Sequence, residues 1–205
     1  MKFSFRKPKL NFKAYLAELI GTFMLALVAF LGVTNGGIPP FLAVPFTLML
    51  FVYTVGSVSG AHLNPAVTVA LATLKKLSPQ DAFFYIVAQM AGAGLAMVSG
   101  KGLLGRSPEL TVESSFQIGI VEAVGAFLLL FGVSAVVHKR VSLGASGVAV
   151  GGSLFLGINI AGQFSNGILN PALAVALGSV SVAYIAGPIL GAITAVWIYQ
   201  FMVSK

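Results

Sequence analysis

Ser59-Gly60-Ala61-His62-Leu63-Asn64-Pro65-Ala66-Val67-Thr68 breaks a hydrophobic stretch and then opens a short apolar run. Gly167-Ile168-Leu169-Asn170-Pro171-Ala172 does the same in the other half of the 205-residue chain. Asparagine is a strong N-cap and proline is favoured at the first helical position, so each Asn-Pro-Ala reads as a helix start. The apolar segments 64–74 and 170–179 are too short to cross a bilayer, which takes about 20 residues. They read as re-entrant half-helices. Non-helical backbone at membrane depth is tolerated only where it is buried or lines a cavity. The breaks at 59–63 and 164–169 are therefore expected to line a wet path. Two helix N-termini facing each other would focus positive potential on one point. Such an arrangement suits a pore that passes neutral solutes and rejects cations.

Composition agrees with a membrane setting. The chain is 58% hydrophobic and 8% charged, with a mean hydropathy of +0.98, whereas soluble domains carry about 25% charged residues. It has no cysteine, which excludes disulfides and thiolate metal sites. Two histidines, His62 and His138, are too few for a histidine metal cluster, and no cofactor is expected. The net charge of +7 does not point to nucleic acid. Its basic residues sit in short segments between apolar runs, as at a membrane surface. The first apolar run is too long for a signal peptide and lacks a small-residue cleavage site.

Six runs are long enough to span: 14–32, 41–58, 82–100, 115–137, 143–162 and 181–203. Of the 12 Lys and Arg residues, only Lys101 and Arg106 fall on one side of that topology. Lys2, Arg6, Lys7, Lys9, Lys13, Lys75, Lys76, Lys139, Arg140 and Lys205 fall on the other, which predicts cytoplasmic termini. Glu18, Gly21 and Phe23 recur in register as Glu122, Gly125 and Phe127. The Gln89–Ala93 region finds an echo around Gly187-Pro188 and Gly191-Ala192. Each half, about 14–100 and 115–203, holds three spans and one half-helix. Three is odd, so the second half enters from the opposite side as an inverted repeat. The expected architecture is an all-α membrane protein, a single channel domain over 1–205, with six transmembrane helices and two re-entrant half-helices. A polar linker over 101–114 joins the halves.

With these residues in place, the chain resembles the aquaporin, or major intrinsic protein, family over nearly its whole length. The stretch from Ser59 to Thr68, the second triplet, the paired Glu18 and Glu122 and the Gly-Pro-x-x-Gly-Ala of span six carry the resemblance. It implies a homotetramer in which each monomer has its own pore, a lipid bilayer and a small neutral solute as partners, and no cofactor. It makes Asn64, Pro65, Ala66, Asn170, Pro171 and Ala172 the pore motifs. It assigns Glu18 and Glu122 to hold the re-entrant loops. An unpaired buried N–H is costly and a carboxylate can accept from it, which gives the same reading on physical grounds. The resemblance also places His62 in the pore. His138, beside Lys139 and Arg140, reads as a solvated loop residue. Trp197 and Tyr199 read as an interfacial belt.

The chain departs from the family where Leu173 follows the second triplet, because most members have arginine there. The three positions that complete the outer constriction map to Val44, to Gly167, and to Ile158 or its neighbour Asn159. The ring then reads Val, Ile, Gly, Leu. It lacks the cation and histidine of water-specific filters and the aromatic pair of glycerol-type filters. An all-apolar ring offers no strong donor to a passing solute, and it removes one electrostatic barrier to cations and protons.

The expected function is a passive channel for water or other small uncharged solutes. An alternative is a channel mainly for glycerol, ammonia or hydrogen peroxide with little water flux. A secondary transporter shares the inverted repeat and broken helices, but no charged pair in the spans is available to couple an ion. A structural membrane protein would favour large exposed loops, and these loops are short. An enzyme is not expected, since no nucleophile–base pair or metal cluster is visible in the sequence.

Overall fold

The computed structural model describes residues 10–204. The basic residues Lys2, Arg6, Lys7, Lys9 and Lys205, used above for orientation, lie outside the described residues. Eight helices follow in order: α1 (Phe12–Asn35), α2 (Pro40–Ser59), α3 (Pro65–Thr73), α4 (Pro79–Leu104), α5 (Phe116–Val137), α6 (Leu143–Ala161), α7 (Pro171–Leu177) and α8 (Val182–Val203). Six are long and apolar enough to cross a membrane, and α3 and α7 are the two short ones.

The helix ends follow local chemistry. Asn64 and Asn170 cap α3 and α7, each accepting from the N–H of the alanine two residues on. Pro65 and Pro171 occupy the first helical position, where the missing N–H costs nothing. Gly60 and Gly105 end α2 and α4 in the left-handed conformation that favours glycine. α4 runs one turn beyond the expected span, through Leu104. Gly105 is the first residue to supply a left-handed cap, its N–H bonding the carbonyl of Lys101. The expected linker is shortened to match.

The short helices fill the interior and the long ones surround them. α3 packs on α4 and on α8 of the other half, while α7 packs on α1 and α4 of the first half. The tightest long-helix pairs are α1 with α4 and α5 with α8. Both depend on missing side chains. A Cβ on Gly92 would overlap the carbonyl of Leu19, and one on Gly191 would overlap that of Ala123. Leu19 and Ala123 each follow the paired glutamate of their half. Backbones that approach this closely gain dispersion contacts, which substitute for the hydrophobic driving force absent in lipid.

Two sequence expectations change at the basic end of α5 and α8. His138 is half-buried, not a solvated loop residue. Its Nδ1 lies 2.8 Å from the Ser134 carbonyl and its Nε2 lies 2.8 Å from Gln200 Oε1. Tyr199 is buried against Phe131 and His138, with ring centroids 5.1 and 5.3 Å apart. It is therefore a packing residue and not part of a belt. Sequence proximity to Lys139 and Arg140 hid this, because Gln200 and Tyr199 come from another helix. Trp197 remains half-exposed and donates to Thr73 Oγ1 at 3.1 Å.

Candidate functional site: a path between the half-helices

Each break between a span and a half-helix is held by a buried carboxylate. Glu18 Oε1 accepts from the Ser59 hydroxyl at 2.6 Å and the His62 N–H at 2.9 Å. Its Oε2 accepts from the Leu63 N–H and from Gln89 Nε2, each at 2.7 Å. Glu122 repeats the arrangement, accepting from the Ser165 hydroxyl at 2.6 Å, the Ile168 N–H at 3.0 Å and the Leu169 N–H at 2.7 Å. Both carboxylates are fully buried, so these donors replace the water they have lost.

The bonds impose an unusual backbone. Leu63 and Leu169 lie at φ 47° and 55°, a region that leucine rarely adopts. Their side chains fit only because Gly21 and Gly125 leave room, since a Cβ on either glycine would collide with the facing leucine. The turn swings the two leucine carbonyls toward the other half. There the Asn170 amide donates to the Leu63 carbonyl at 2.9 Å, and the Asn64 amide donates to the Leu169 carbonyl at 3.0 Å. The two half-helices thus start at one place and cross-brace each other. Each Asn Oδ1 caps its own helix. Each amide nitrogen spends one N–H on the opposite loop and keeps a second.

Three adjoining cavities run past this pair. A central one of about 10 Å³ touches both Asn64 and Asn170, together with His62. A chamber of about 70 Å³ lies toward the linker and shares Val44, Ile168 and Leu173 with the central cavity. A chamber of about 100 Å³ lies toward Val136 and Val137, at the basic end, and shares Leu48, His62 and Leu129 with it. Larger hollows of about 270 and 350 Å³ lie between α2 and α6 and between α5 and α8. Neither touches Asn64, Asn170, His62 or the residues of the ring.

Val44, Ile158, Gly167 and Leu173 all line the linker-side chamber. Ile158, not Asn159, takes that position, because the Asn159 amide turns back to the Phe155 carbonyl at 2.7 Å. Gly167 sits at φ 60° and presents backbone only, with the Ile158 carbonyl against the place a Cβ would occupy. His62 borders both the central cavity and the basic-side chamber, with Nδ1 3.1 Å from Thr68 Oγ1.

Several site residues were not singled out from the sequence. Gln89 joins Glu18 to Thr68 and is fully buried, with its Oε1 unpartnered. Tyr85 donates to the Ser59 carbonyl, and the matching Tyr184 hydroxyl accepts the Asn166 N–H. Ser59 and Ser165 stand at the same distance before their Asn. Those recurrences are the signal for the tyrosines and the serines, whereas Gln89 has none, since Pro188 takes the matching place. Leu110 has no such signal. It lines the linker-side chamber because the Asn166 amide holds the linker through the Thr111 carbonyl at 3.1 Å.

Residues 4–199 match the family described as major intrinsic protein. The chain belongs to that family. Its members are channels, and this multi-pass membrane protein is a passive channel for water and other small uncharged solutes. It is 35% identical over 207 residues to "Aquaporin NIP1-1" of Zea mays, covering 91% of this chain and 73% of that one. It is 30% identical over 244 residues to "Aquaporin AqpM" of Methanothermobacter marburgensis, covering 94% and 98%. The aquaglyceroporin from Plasmodium falciparum shares the fold, with a TM-score of 0.72 over 94% of this chain and 95% of that one at 19% identity.

Proposed function

We propose that solute passes in file through the three cavities, taking its central contacts from the free amide N–H groups of Asn64 and Asn170. The single observation that carries this is the convergence of both asparagines on one small cavity with a chamber on either side. The N-termini of α3 and α7 meet there, so a cation at that point faces two positive helix ends and no carboxylate oxygen free of donors. Val44, Ile158, Gly167 and Leu173 form an apolar ring in the linker-side chamber that offers a passing solute no strong donor. His62 lines the basic side of the path. Glu18 and Glu122 act through the loops they hold and not as proton carriers, since their oxygens are engaged with backbone N–H groups.

The basic chamber faces the cytoplasm in this reading, as the distribution of Lys and Arg requires. The two halves, about 14–100 and 115–203, form an inverted repeat within a single channel domain. The protein assembles as a homotetramer in the cell membrane, each monomer with its own path. The test is stopped-flow light scattering on proteoliposomes under sucrose, glycerol and urea gradients, with a pH-sensitive dye to follow protons. Water flux no faster than in empty liposomes, with no glycerol, urea, ammonia or peroxide flux either, would refute the channel reading.

A further inference from the structure

We propose that the width limit of this channel is set at its centre, by a collar of four leucines, Leu25, Leu48, Leu129 and Leu154, and not in the linker-side chamber. The inference rests on the path described under Proposed function and names the class of solute it admits. All four leucines line the central cavity together with the asparagines and are almost completely buried. They come in two matched pairs. Leu25 stands as far after Glu18 as Leu129 stands after Glu122, on α1 and α5. Leu48 stands as far before Asn64 as Leu154 stands before Asn170, on α2 and α6. The repeat that brings the asparagines together therefore also closes hydrocarbon around them.

The volumes place the narrowest point at the centre, which Val44 and Leu173 of the ring also border and Ile158 and Gly167 do not. The central cavity holds about 10 Å³, against about 70 Å³ in the linker-side chamber and about 100 Å³ on the basic side. A site needs roughly 10–15 Å³ to hold one water. The collar thus takes one water-sized molecule at a time, while the ring chamber has room for several. Each collar leucine contributes no donor or acceptor, so the polar contacts at the centre come from Asn64, Asn170 and His62. It must present an acceptor to two amide N–H groups and tolerate hydrocarbon around the rest. Water meets both demands, and so do other molecules of similar bulk such as ammonia. Urea and polyols do not, because they bring further polar groups that would face leucine unpaired.

The test compares collar and ring variants in proteoliposomes, with water, urea and glycerol as probes. Wild type passes water and little urea or glycerol. Leu129→Val and Leu154→Ala raise the urea-to-water permeability ratio by about tenfold or more, the scale on which one or a few methylenes in an apolar pocket discriminate. Ile158→Ala, at a ring position that borders only the linker-side chamber, raises it less than either. In the opposite sense, Leu154→Phe lowers water flux several-fold, which keeps the proposal testable should the alanine variant fold poorly. Size-exclusion profiles establish which variants fold. The collar is refuted if wild type passes urea or glycerol about as fast as water. It is equally refuted if Ile158→Ala changes the ratio more than the folded collar variants do. Both results leave the channel reading standing. Absence of any flux in wild type would remove the channel reading and the collar with it.

Discussion

Removing the carboxylate of Glu18 should destabilise the protein by an amount readable from its partners. Glu18→Ala leaves the N–H groups of His62 and Leu63 without an acceptor in a fully buried place. Each orphaned donor costs about 1–3 kcal/mol, so the pair costs about 2–6 kcal/mol. Gln89 loses less, because its Nε2 still reaches Thr68 Oγ1. Glu18→Gln keeps one acceptor oxygen but sets an amide N–H₂ against either His62 N–H or Leu63 N–H. One backbone donor is then orphaned, and the cost is about 1–3 kcal/mol. A chain of this size loses about 2–4 °C of melting temperature per kcal/mol. Wild type should therefore melt highest, Glu18→Gln lower, and Glu18→Ala lowest by roughly 5–20 °C. Trp197 is the single tryptophan, so its fluorescence reports the melt of purified protein in detergent without a label. The same order is expected at Glu122, which holds the Ile168 and Leu169 N–H groups. Should Glu18→Ala melt within about 2 °C of wild type, the carboxylate would not be replacing solvent for the loop, and the account of both re-entrant breaks would be wrong.

Three further outcomes are expected. Leu173→Arg should lower any proton or cation leak and reduce permeation of solutes larger than water more than that of water, because it adds a fixed charge and bulk to the apolar ring. A pH-dye assay and paired permeabilities check this, and an unchanged leak in folded protein would place residue 173 off the path. Gly191→Val should cost about 1–3 kcal/mol or more by forcing α8 from the Ala123 carbonyl. Gly94→Ala, with nothing within 4 Å of its added Cβ, should be neutral or slightly stabilising, and equal melts for the two would contradict the packing account. Asn166→Ala releases the linker from Asn166 Nδ2, which now holds the Thr111 carbonyl and Ser179 Oγ. Hydrogen exchange at residues 109–113 should then speed up while α1 and α4 stay protected, and unchanged exchange would refute the tether.

Local sequence set the span count and the two half-helices, and it suggested the pairing of halves that is proposed. Those features depend on local physics, namely apolar length, the Asn cap and Pro at the first helical position, and on recurrences such as Glu18 with Glu122. It also nominated the residues that the structure gathers along one path. Three-dimensional packing decided the rest. His138 and Tyr199 changed character because Gln200 and Phe131 come from other helices, and adjacency to Lys139 carries no information about that. Leu110 entered the path through a tether to Asn166, a contact between segments with no shared pattern. Above all, Leu25, Leu48, Leu129 and Leu154 are leucines in leucine-rich helices and carry no motif. Only the angles at which α1, α2, α5 and α6 meet turn four of them toward the asparagines and the others toward core or lipid. A cavity's width is a sum over side chains from separate helices, and no single stretch of sequence contains that sum.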